Sequence, residues 1–153
     1  MIVEGTYTFP GPREVVFGLL LDPDVLAKTM PGATSIARVS EDRYEGKMGV
    51  GIGPITAAEF DVVITMTEKV VPESYRMQID GRGRFGFTRG KAAVTLTPSG
   101  SSTIMHYAAD MMVGGKIAAV GQRLLDSVSR MMLKQGLEAM SAELDRRLGQ
   151  EPA

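Results

Sequence analysis

One histidine, His106, and no cysteine stand in the sequence, and these two counts bound the chemistry available to the chain. Without cysteine there is no thiolate nucleophile, no disulfide and no Cys-ligated zinc or iron–sulfur cluster. A lone imidazole cannot build a multi-histidine metal site within one chain. His106 alternates with Met105 and Tyr107, so it is read as facing outward, with no Ser or Cys nucleophile patterned beside it. Glu59, Asp61, Asp80 and Asp110 are the candidate acids. No pair among them has a spacing that marks an acid/base dyad.

Two glycine-rich stretches, GKMGVGIGP and GRGRFGFTRGK, look like phosphate loops. A dinucleotide fingerprint follows a strand and opens a helix, whereas both of these continue into strand. Their glycines are read as permitting sheet bending and close approach. Arg82, Arg84, Arg89 and Lys91 form a local basic cluster. The expected role is to solvate a sheet edge against aggregation, with an acidic partner or lipid headgroups as the other reading. Lys and Arg (17) balance Asp and Glu (18) across the 153 residues, so nothing draws the chain to nucleic acid. No signal peptide or membrane-length apolar run is seen. A cytoplasmic protein is expected.

The elements that position these residues follow from periodicity. Met1 to Phe9 reads as a strand. PGPREVV opens a helix, and Asp22-Pro23 caps a second short one that stops at Pro31-Gly32. From Ser35 to Val113 the period is two. Tyr44, Gly46, Met48, Val50 and Ile52 share one face. Phe60, Val62, Ile64 and Met66 share another, with a β-bulge expected near Ala58-Glu59. Strands are expected at Tyr75 to Arg84, Thr88 to Thr97 and Thr103 to Val113. A long helix then runs from Val113 through Met140, and Ile117, Gly121, Leu124, Val128, Met131, Gln135, Ala139 and Ala142 make one face of it. The class is α+β, one domain over 1–148 with a frayed tail over 149–153: a curved antiparallel sheet around a terminal helix.

That helix has a soft face. The chain has no Trp, 5 Phe and 4 Tyr, but 11 Met and 18 Gly. Large plugs are scarce, and thioethers suit adaptable apolar pockets as well as irregular cores. A cavity under the helix is therefore expected. Gln135 in that face would bond a ligand, a strand group or water, or sit near the cavity mouth, since an unpaired buried amide costs about 1–3 kcal/mol. Tyr75 and Tyr107 can bring hydroxyls to the same space.

The stretches PREVVFGLLLDPDVLAKTMPG, GVGIGPITA, GFTRGKAAVTL and VGGKIAAVGQRLLDSVSRMM together resemble the carbon monoxide dehydrogenase G-subunit (CoxG) family, within the START-like helix-grip superfamily. The resemblance spans nearly the whole chain and implies a helix-grip fold with a deep apolar tunnel. It implies a non-enzymatic accessory protein that binds an isoprenoid quinone or other lipid. Such a protein would recruit a carbon monoxide dehydrogenase-type molybdenum hydroxylase to the membrane, or deliver its electron acceptor. No metal or resident cofactor is implied. The implied lining is Leu124, Val128, Met131, Met132 and Gln135 from the helix. The sheet would add Phe60, Tyr75, Phe87, Met105, Tyr107 and Met111, and the short helices Leu20, Leu26 and Met30. Phe17 stands where relatives often carry Trp, which would widen the space. A polyketide-cyclase-like enzyme and a surface-acting assembly factor are the alternatives.

Overall fold

The computed structural model describes residues 1–150. Strand β1 (Ile2–Phe9) leads into α1 (Arg13–Leu21) and α2 (Pro23–Thr29). The Asp22 carboxylate accepts from the Asp24 amide at 2.9 Å and so caps α2, with Pro23 in its first turn. Six strands follow: β2 (Ala33–Ser40), β3 (Arg43–Ile52), β4 (Ile55–Val70), β5 (Ser74–Gly83), β6 (Gly86–Ser99) and β7 (Ser102–Gly114). A 3₁₀ turn (Lys116–Val120) precedes α3 (Gln122–Gln150).

All seven strands form one sheet, ordered β1-β7-β6-β5-β4-β3-β2, with every neighbouring pair antiparallel. The sheet curves around α3, which is the helix-grip arrangement expected. The bulge lies close to its expected place: the β3–β4 register shifts between the Val50–Ala58 and Ile52–Ile55 pairs. Beyond it Phe60, Ile64 and Met66 are buried in the expected phase.

Two expectations need correction. The chain does not pass from β7 straight into a helix. Gly115 (φ 83) and Gly121 (φ 99) bracket the 3₁₀ turn, and such backbone is rare for residues with a Cβ. A Cβ at Gly115 would stand 2.6 Å from the Gly86 Cα. Helix α3 also runs on through Gly149 to Gln150, past the boundary expected at 148, while residues 151–153 of the expected tail lie outside the described residues.

The interior is divided. At one end α1, α2 and the second half of α3 close the grip: Val16, Phe17, Leu19, Leu20, Val25, Leu26, Leu137, Met140 and Leu144 pack on Phe9, Tyr44, Tyr75, Val94, Leu96 and Met105. At the other end lies a smaller cluster of Ile52, Ala58, Phe60, Ile117 and Leu125, with partly buried Val50, Val62, Leu124 and Val128 packed against it. The site lies there.

Candidate functional site

The inward faces of β3 and β4 present Met48, Val50 and Ile52 beside Phe60 and Val62. The ends of β6 and β7 add Phe87, Thr88, Met111 and Val113. The glycine-bounded turn swings Ile117 into the same space, where its amide donates to the Phe85 carbonyl at 2.7 Å. The first half of α3 closes it with Leu125, Val128, Ser129 and Met132. Together with Met1 these residues surround a cavity of about 210 Å³. Among the described residues, Thr88 and Ser129 bring the only polar side chains to the lining, and no carboxylate, imidazole or amide side chain joins them. The Ser129 hydroxyl donates to the Met1 thioether at 3.9 Å, and the Met1 ammonium donates to the Met111 carbonyl at 2.9 Å. The space suits an apolar body with at most a hydrogen-bonding end.

Of the expected lining residues, Phe60, Phe87, Met111, Val128 and Met132 do meet there. The others do not. Gln135 is exposed and Met131 is 50% exposed. Leu124 lies against Gly53, outside the lining. Tyr75, Met105, Leu20 and Leu26 are buried in the closed end. Phe17 sits there too, its ring edge-on to Tyr75 at 5.9 Å, so its size bears on packing and not on the cavity. Met30 borders a separate void of about 10 Å³ beside Tyr44. Tyr107 lines an outer groove with Leu133, Lys134 and Leu137. The hollow is thus a chamber at one end of the grip, not a tunnel along the whole helix.

The displaced residues on α3 have a common cause. A phase counted from Ile117 and Gly121 starts in the 3₁₀ turn and its break. A 3₁₀ turn has about 3.0 residues per turn, so α3 starts afresh at Gln122 with its inward stripe moved one residue on, to Leu125, Ser129 and Met132, Val128 being common to both phases. Met48, Val50 and Ile52 are absent from the expected lining yet readable, since the alternation from Tyr44 already puts them on one face.

Burial pushes the Tyr75 phenol above its usual range, with Tyr44 adding to the shift. Burial also raises Tyr44, whose hydroxyl donates to the Leu21 carbonyl at 2.6 Å. Both phenols are in the closed end. His106 is exposed, as its strand phase implied. Among the described residues, no group of His and carboxylates is arranged to hold a metal ion. No helix there is long and apolar enough to cross a membrane.

The basic cluster is not on a sheet edge. The edges are β1 and β2, whereas Arg82 and Arg89 sit on β5 and β6 in the interior of the sheet order. Arg82, Arg84, Arg89 and Lys116 instead line a groove of about 450 Å³ that shares Phe87 with the cavity. Edge protection therefore does not explain them.

A family model described as the G-subunit of carbon monoxide dehydrogenase (CoxG) matches residues 5–145. No curated protein matches. Among solved structures, a conserved protein from Geobacillus kaustophilus is 28% identical with a TM-score of 0.89, over 95% of this chain and 96% of that one. A START superfamily protein from Mycobacterium smegmatis is 12% identical with a TM-score of 0.71, over 95% and 97% of the two chains. The Zhui aromatase/cyclase from Streptomyces sp. R1128 is 15% identical with a TM-score of 0.71, over 97% and 95%. At these last two identities the likeness is one of fold alone.

Proposed function

As the chain belongs to the carbon monoxide dehydrogenase G-subunit (CoxG) family, we propose that it is a non-enzymatic accessory protein that holds a lipophilic molecule for a carbon monoxide dehydrogenase-type molybdenum hydroxylase. The cargo we favour is an isoprenoid quinone, the acceptor for that enzyme's electrons. The setting is the cytoplasm, at the inner face of the cell membrane. The observation that carries this reading is the apolar chamber between α3 and the open end of the sheet. Each CH₂ equivalent buried there contributes about 0.8 kcal/mol. At about 210 Å³ the chamber is smaller than the roughly 300–1,000 Å³ of sites for drug-sized ligands. It therefore takes one end of a long molecule and leaves the rest outside. The Thr88 and Ser129 hydroxyls are the groups available to a quinone carbonyl.

The cyclase-like alternative has less support, because the described lining offers neither a carboxylate nor an imidazole as general base. The test is mass spectrometry of organic extracts from purified protein, followed by titration with menaquinone. Retention of a quinone or prenyl lipid, lost on Val128→Trp, supports the reading. Extracts free of lipid, with no menaquinone binding by the unmodified chain, overturn it.

A further inference from the structure

Strand β1 pairs with β7 no further than Ile2 with Asp110, while β7 runs on to Gly114. Met1 adds two main-chain bonds to Met111, at 2.9 and 2.8 Å, and there the cover of that edge ends among the described residues. Past Met111 the edge of β7 faces the 3₁₀ turn and the start of α3 across a gap. Asp110, Met112 and Val113 line this vestibule from β7, Ala118 from the turn, and Gln122 and Leu125 from α3, around a space of about 390 Å³. Met1, Met111, Val113 and Leu125 line both the vestibule and the chamber, so the two spaces meet at those side chains. The basic groove has Phe87 alone in common with the chamber. The Met1 side chain lies at the junction. Its thioether accepts from the Ser129 hydroxyl of α3 at 3.9 Å, and sulfur is a weak acceptor. Met is unbranched, with three rotatable bonds, so little opposes its swinging aside. Asp110 has Lys91 as its register partner, and the Gln122 amide donates to Asp126 at 2.8 Å. The side chains left to grip an occupant are apolar.

We propose that the vestibule is the port of the chamber: a long apolar chain enters sideways between β7 and α3, with Met1 as its gate, and the part that the chamber cannot hold stays seated on Met112, Val113 and Ala118. The inference rests on the carrier reading and adds to it the route of the cargo and the place of its remainder. A chamber of about 210 Å³ falls short of the roughly 300–1,000 Å³ of sites for drug-sized ligands, and the adjoining vestibule supplies the missing room.

The test compares menadione, a naphthoquinone without a tail, with long-tailed menaquinone on the full chain. Ala118→Trp fills the vestibule from the turn and leaves the chamber lining untouched. It should weaken menaquinone binding at least about tenfold, since each CH₂ turned out into water costs about fourfold in affinity, and it should leave menadione affinity unchanged. The chain has no cysteine, so the pair Met112→Cys and Gln122→Cys, one on each wall and both at exposed positions, can be bridged with a bis-maleimide. Bridging should abolish the exchange of bound menaquinone with cyclodextrin over a time in which the unbridged variant exchanges fully. The same bridge between Arg84→Cys and Lys116→Cys, in the basic groove, should leave exchange as it was. Equal losses for menadione and menaquinone, loss for neither, or free exchange through a bridged vestibule overturns the proposal, and where no bridge forms the two affinities decide. An unmodified chain that binds neither quinone sinks the carrier reading and the port with it. One that binds both, while Ala118→Trp changes nothing, sinks the port alone.

Discussion

The Arg147 guanidinium donates to the Asp22 carboxylate at 3.1 Å, and so the last turns of α3 are clasped to the cap of α2. Glu143, buried on the same side of α3, takes Arg147 Nε at 3.5 Å and pairs with Arg146. The closed end of the grip thus has a polar latch over the larger core, while the open end surrounds the cavity. Asp22→Ala removes both the α2 cap, worth about 1 kcal/mol, and a partly exposed ion pair, worth up to about 1 kcal/mol. The melting temperature should fall by several degrees, at about 2–4 °C per kcal/mol, with menaquinone affinity unchanged. A calorimetric melt with and without ligand checks this.

The same carboxylate makes stability depend on pH. Burial alone would raise Asp22, but hydrogen bonds from Arg147 and from the Asp24 and Val25 amides outweigh it, and the group sits below its reference of 3.8. A depressed folded value means the contribution is fully present above the unfolded value of about 3.9 and is lost as pH falls through the folded one. Asn at this position keeps a capping group but carries no charge. Urea unfolding of the unmodified chain and of Asp22→Asn should therefore differ most near neutrality and converge below about pH 4.

What the sequence discloses, and what it hides, divides at Gly121. Alternation is a local signal, so Phe60, Ile64 and Met66 can be placed inward even across a bulge. Asp22-Pro23 announces its cap for the same reason. The stripe of α3 needs an origin, and the 3₁₀ turn supplies a false one: counting from it brings in Met131 and Gln135 and leaves out Leu125 and Ser129. Which half of the grip is hollow depends on how α1 and α2 fill the other half. That is a long-range fact which no window of residues contains.

The corrected phase predicts contrasting effects from neighbouring substitutions. Val128→Trp puts an indole into the chamber and should abolish menaquinone binding, with overpacking costing about 1–3 kcal/mol. Gln135→Trp, at an exposed position on the same helix, should change neither affinity nor stability beyond about 0.5 kcal/mol. Isothermal titration of the two variants decides between this phase and the one counted from Ile117, which requires both to block the site.

Gly18 and Gly115 should respond to alanine in opposite directions. Gly18 lies within α1 and open space surrounds its ideal Cβ, so Gly18→Ala should stabilise by about 0.5–1 kcal/mol through helix propensity. Gly115 has φ 83, and its Cβ would meet the Gly86 backbone. Gly115→Ala should therefore cost about 1–3 kcal/mol of backbone strain, beyond what the clash adds. It should also cost affinity, because Gly115 aims the turn that carries Ile117 into the chamber. Denaturant titration and menaquinone binding on the two variants give the signs. A neutral Gly115→Ala with full affinity would show that the turn does not set the chamber's floor.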